Sequence, residues 1–436
     1  MTVVGDPRTR TATIAARLAD ALAAPPPPET GNDRSPSSPR WQGQSLAEGA
    51  AGVALLHGVR ASSRHGDWDT ADGWLTAAAS EDLSAGPSAG LWFGAPALAL
   101  ALTVAPPPGR HQRTAQRLHA AVARLVERRL TAAHARIEAG QRPVRAEFDL
   151  VRGLTGLGAY LAVRDPDGEQ LRQILTYLVR LTEPVPATDT AGRAAPGWWT
   201  IDVPTTAPPE PFADGHADLG MAHGIAGPLA LLALTHRRGI TVAGQTMALN
   251  RICRWLDAWR QDSPTGPWWP ERITASDLLA GRPTQPSPGR ASWCYGTPGL
   301  ARAQQLAAIA LADTAQQQRA EAALAACLTN PAQLAQFVDP AICHGWAGLI
   351  ATVRCAATDA RFHPLASHLP DLIDQLLRSL DTAPSTGWRL TGLIDGTAGI
   401  AAVLHAITTD TGALWETALL LDLPPALPAQ RSGDSE

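Results

Sequence analysis

Apolar residues along this chain fall into two alternating kinds of segment. In one, a short glycine turn is followed by an Ala- and Leu-rich run with little polar interruption: VALLHGV after Gly49 and Gly52, LGAYLAV after Gly153 and Gly156, PLALLAL after Gly224 and Gly227. Such runs have the composition of helices buried on every side. In the other, as from Arg113 to Ile137, apolar residues recur at helical spacing on one side only and arginines occupy much of the rest. These predict outer helices with a solvated face.

The turn recurs at Gly296 and Gly299, at Gly345 and Gly348, and at Gly396 and Gly399, and a seventh copy begins at Gly94 but carries Ala97 where the others have their second glycine. Seven units therefore share one plan. Glycine is expected there for positive φ and for close backbone approach. Buried inner helices alternating with amphipathic outer ones predict an all-α fold, an α/α toroid of seven helical-hairpin units, with an open solenoid as the structural alternative. In either case the turns gather at one end, a mouth toward which helix N-termini aim backbone N–H groups that favour negative charge.

This reading gives one domain over residues 45–428, preceded by a partly mobile segment 1–44 and followed by a flexible tail 429–436. Two long connections interrupt it. Residues 182–218 carry Trp198, Trp199 and a β-favouring stretch, so a small strand-containing insertion is expected. Residues 263–290, with Trp268 and Trp269, are expected to form an active-site loop. Both would cover the mouth. The tryptophan pairs read equally well as buried packing.

Composition narrows the function. An apolar content of 45% supports a large core, the net charge of −4 is small, and all 36 basic residues are arginines scattered along the chain, which argues against nucleic-acid binding. Five cysteines, an odd number in a long chain, argue against a disulfide framework and for a reducing compartment. Neither a signal-like N-terminus nor a membrane-length apolar run is present, so a cytoplasmic protein is expected.

Two of those cysteines stand apart. Cys294 and Cys343, with the adjacent His344, lie just before the turns of units five and six, which adjacent helices bring to one level. Two thiols and an imidazole suit Zn²⁺ and leave a fourth position open. Cys253, Cys327 and Cys355 lie in apolar helical runs and read as core. His223 holds the matching place in unit four and Asp149 a slightly earlier one in unit three, a possible acid–base pair. Arg290 and Tyr295 flank Cys294 and could hold a carbonyl or enolate oxygen. The run from Asp214 to Asp218 reads as an exposed loop with helix-capping carboxylates, and Asp395, before Gly396, as a further group at the mouth.

Taken together, Ala222-His223-Gly224, Ser292-Trp293-Cys294-Tyr295-Gly296 and Cys343-His344-Gly345, in that order on seven glycine-marked units, resemble the motif set of the lanthionine synthetase C (LanC-like) cyclases. The resemblance runs from about Ser45 to Leu423. It implies an α/α toroid, one zinc ion on Cys294, Cys343 and His344, and an active site containing His223, Asp149, Arg290 and Tyr295. It further implies a cytoplasmic enzyme of lantibiotic biosynthesis that adds cysteine thiols to dehydroalanine or dehydrobutyrine within a dehydrated precursor peptide, working beside a dehydratase and export machinery. Two functions share these features: addition of a separate thiol such as glutathione, and a non-catalytic peptide scaffold. A zinc prenyltransferase-like toroid would instead have six units and an Asp/Cys/His site.

Overall fold

The computed structural model describes residues 6–26, 43–184, 195–203, 210–337, 339–382, 391–409 and 415–424. The expected tail 429–436, and residues 1–5 and 27–42 of the expected N-terminal segment, lie outside these. Seven inner helices follow the glycine turns: Ala50–Ser62, Ala95–Val104, Leu154–Arg164, Ala226–Arg237, Thr297–Ala310, Trp346–Asp359 and Thr397–Thr409. Each packs on the next and the seventh returns to the first. The fold is a closed α/α toroid.

Backbone hydrogen bonds between neighbouring turns run round the mouth in one sense. Leu150 N–H donates to Ala222 (3.2 Å), Met221 to Cys294 (2.8 Å), Cys294 to Cys343 (3.2 Å), Ile342 to Ile394 (2.9 Å), Leu393 to Leu46 (3.1 Å) and Leu46 to Trp92 (2.9 Å). Units two and three meet where Gly90 lies against the backbone of Val151 and Arg152. Because each link pairs groups that a buried turn would otherwise leave unsatisfied, the turns are held in register as a ring.

The glycines serve this ring chiefly by lacking a side chain. Gly49, Gly153, Gly296 and Gly345 are extended, not positive in φ as the sequence suggested. A Cβ on Gly348 would collide with the Ile342 carbonyl and one on Gly399 with that of Leu393. Unit two is built differently. Its Gly94 has φ +78°, a value that L residues rarely adopt, and Ala97 is accommodated behind this altered turn.

The outer layer is formed by Trp68–Ala78, Gln112–Glu138, Glu169–Leu181, Gln245–Ala258, Thr314–Leu328 and Leu369–Thr382, each packed on the inner helix of its own unit. The seventh outer place is taken by the N-terminal helix α1 (Pro7–Asp20), which lies along Thr397–Thr409 and buries Ile14, Ala15 and Ala19. The last hairpin is thus assembled from both ends of the chain.

The two long connections meet as a two-stranded antiparallel sheet. Strand β1 (His216–Asp218) pairs with β2 (Arg272–Thr274), Asp218 lying opposite Arg272. The tryptophans of both connections are packed, not presented to the mouth. Trp198 stacks edge-on to Trp255 at 5.7 Å, and the Trp269 indole N–H donates to the Leu256 carbonyl at 2.8 Å, both on an outer helix. Among the described residues, no helix is long and apolar enough to cross a membrane.

Candidate metal centre and active site

Units five and six bring Cys294, Cys343 and His344 together: one ligand atom from each lies within 4.8 Å of the others. Cys294 is buried, while Cys343 and His344 are partly open to the mouth. The turn geometry makes this possible, since both Cys343 and His344 precede the helix and are free of its angular spacing. His344 Nε2 lies 3.2 Å from Asp339 Oδ2, so Nδ1 is the ring nitrogen without that partner. The S₂N donor set, its spacing and the carboxylate behind the imidazole all fit a tetrahedral zinc site with one position open.

Electrostatics separate the two thiols. The hydrogen bond from Cys343 holds Cys294 well below the ordinary thiol range despite burial, with His344 and Ser292 acting in the same direction. That same bond, together with burial, pushes Cys343 up. His344 is raised to about 10, first by Asp339 and then by Cys294. The other three cysteines shift opposite to Cys294: burial raises Cys253 and Cys327 to about 12, and raises Cys355 too. They are core residues, as expected.

His223 and Asp149 form a hydrogen-bonded pair, Nδ1 to Oδ2 at 2.7 Å. The other oxygen of Asp149 accepts the backbone N–H groups of Arg152 (2.6 Å) and Gly153 (2.8 Å), so the carboxylate is pinned by its own turn. Burial opposes charge on His223, but the bond to Asp149 and its negative charge outweigh that and raise the imidazole pKa. Nε2 is left for the mouth. This pair is tied to the metal turn because Met221 and Ala222 both donate to the Cys294 carbonyl, at 2.8 and 3.4 Å.

Tyr295 lies beside this pair, its ring centroid 6.4 Å from that of His223. Its hydroxyl donates to Asp218 Oδ2 at 2.9 Å, so its single proton is directed away from the mouth. Arg290 lies near enough to Glu271 and Asp339 for its positive charge to act on both carboxylates. Asp395 is pushed up to about 6, mainly by burial, and one of its oxygens is buried without a hydrogen-bond partner.

The family model for lanthionine synthetase C-like protein matches residues 40–420. The chain belongs to this family. It is 23% identical over 282 residues to nisin biosynthesis protein NisC of Lactococcus lactis subsp. lactis, an alignment covering 63% of this chain and 64% of that protein. The solved structure of nisin cyclase matches it with a TM-score of 0.72 at 19% identity, over 95% of this chain and 97% of that one.

Within this LanC-like framework, four residues escaped the sequence reading. Asp218 and His216 are buried in β1, not exposed in a capping loop, because the strand pairs on both sides, with β2 and with Thr200. Arg272 stacks over the Tyr295 ring at 4.8 Å. Asp339, four residues before Cys343, supports His344. The carboxylates in Asp-Gly-His-Ala-Asp and just ahead of Cys-His were visible, but only tertiary pairing distinguishes a buried partner from a cap.

Proposed function

We propose that this chain is a zinc-dependent lanthipeptide cyclase. It would join cysteine thiols to dehydroalanine or dehydrobutyrine in a dehydrated precursor peptide, acting after the dehydratase that makes this substrate. The observation that carries the reading is the meeting, at one mouth, of the Cys294–Cys343–His344 cluster with the Asp149–His223 pair. Zinc held by those three side chains would supply the charge that converts a substrate thiol to thiolate at neutral pH.

The protein's own groups account for the rest. Addition of sulfur to the β-carbon turns the dehydro residue into an enolate, and protonation at its α-carbon completes the thioether. His223, kept protonated by Asp149, is the proton donor through Nε2, and the backbone bonds to Asp149 keep the donor from swinging. Arg290 provides positive charge near the developing oxyanion. Tyr295 shapes the adjoining wall, since its proton is engaged by Asp218.

The test is incubation of the zinc-loaded protein with a dehydrated precursor, followed by thiol alkylation and mass spectrometry, because ring closure itself changes no mass. Loss of alkylatable cysteines supports the reading. Full alkylation after prolonged incubation, with zinc bound and peptide retained, overturns it in favour of a scaffold.

A further inference from the structure

Asp218 is a carboxylate placed near the mouth at the cost of its hydration. Its side chain is wholly buried, and it accepts the Tyr295 hydroxyl at 2.9 Å and the Gly220 N–H at 3.1 Å. Arg272 Nε lies 3.4 Å and Arg145 Nη1 3.8 Å from its Oδ2, two cations around one buried anion. A buried ion cluster of this kind seldom adds net stability compared with an apolar packing of equal volume. Its geometry, though, is well defined. Asp218 fixes the hydroxyl end of Tyr295, and Arg272 covers the ring face with its guanidinium 4.8 Å from the centroid. Both reach Tyr295 from the β1–β2 pair, in which they lie directly opposite one another.

The ring fixed in this way stands 6.4 Å from the His223 imidazole. Building on the cyclase reading, we propose that Asp218 and Arg272 are positioning residues that hold Tyr295 against His223 and thereby set which face of the enolate receives the proton. An enolate is planar, and a donor on either side completes the thioether equally well. His223 is fixed on one side by Asp149, so the choice of face depends on the wall that orients the substrate against it. No atom of the reaction passes through Asp218 or Arg272: the C–S bond forms, the C=C bond is lost and the proton still arrives from His223.

The experiment compares Asp218→Asn, Arg272→Gln and Arg272→Lys with wild type, all zinc-loaded, on a dehydrated precursor. The ring residues are hydrolysed and their α-carbon epimers separated by chiral chromatography. Asp218→Asn and Arg272→Gln are expected to lower kcat by roughly 10²-fold with KM within about twofold, and to give mixed epimers. Arg272→Lys, which keeps the charge but loses the planar stack, should recover part of both. Unchanged epimer ratio and kcat overturn the proposal, as does a loss confined to zinc content or melting temperature, which marks a merely structural cluster. Arg272 is partly open to solvent, so its variants keep the test available if Asp218→Asn does not fold. An Asp218/Tyr295 double-mutant cycle in urea measures their coupling without substrate. Coupling found alongside unaltered epimers sinks the positioning role and leaves the cyclase reading intact, whereas a wild type that closes no ring sinks the cyclase reading itself.

Discussion

Units three to six of the mouth and units seven, one and two share a backbone but not a chemistry. Every turn of the ring, except the altered one at Gly94, presents an extended glycine or an equivalent N-terminal turn toward the same end. In the first group the residue just before the first glycine, or a close neighbour, is Asp149, His223, Cys294, Tyr295, Cys343 or His344. In the second the corresponding places hold Glu48, Trp92, Phe93, Ile394 and Asp395. The repeat supplies the platform, and one or two positions ahead of each glycine decide what the platform carries.

The largest effect expected from that contrast is at the metal cluster. Cys294→Ala, Cys343→Ala and His344→Ala should each lose stoichiometric zinc and ring closure, while Glu48→Ala in unit one keeps both. Metal analysis with the alkylation assay checks this, and a Glu48→Ala protein without zinc would break the comparison. Next is the acid. His223→Asn should lower the rate by about 10²- to 10⁴-fold with zinc retained. Because Asp149 raises the imidazole pKa, a donor role predicts a rate that falls as pH rises through that raised value. Asp149→Asn removes the cause, so the alkaline limb should move to lower pH.

A smaller effect is expected behind the metal. Asp339→Asn keeps a hydrogen-bond acceptor for His344 but removes the charge, and should weaken zinc affinity by about 10- to 100-fold in chelator competition. Zinc affinity equal to wild type would show that Asp339 merely closes its loop, where it also accepts the Ala341 N–H at 2.8 Å.

How much of this was legible follows from which signals are local. Seven inner helices could be read because each is announced by its own glycines and its own apolar run, and Cys294, Cys343 and His344 because the repeat itself aligns them. The toroid was expected with an open solenoid beside it, because what decides between them is pairings such as Leu393 with Leu46, far apart in the chain. The seventh outer helix was hidden for the same reason, since α1 precedes the first glycine turn by about thirty residues yet serves the last unit. Asp218 was misread because a carboxylate before a helix looks the same in sequence whether it caps that helix or lies buried beneath Arg272 and Tyr295.

The smallest effect tests the platform itself. In unit six a methyl group on Gly348 has nowhere to go, because the Ile342 carbonyl occupies its place. Gly348→Ala must therefore displace the turn that carries Cys343 and His344, and should lower both stability and zinc affinity. Unit two already carries alanine at the matching position, behind a turn reshaped by the positive φ of Gly94. The reverse change there, Ala97→Gly, creates no collision and removes only a small buried side chain from the first turn of a helix. It should cost about 0.5–1 kcal/mol in urea unfolding and leave zinc and ring closure untouched. If Ala97→Gly instead disturbed the metal as strongly as Gly348→Ala, strain would be passing freely round the ring of backbone bonds, and the separation between loaded and bare sectors would not hold.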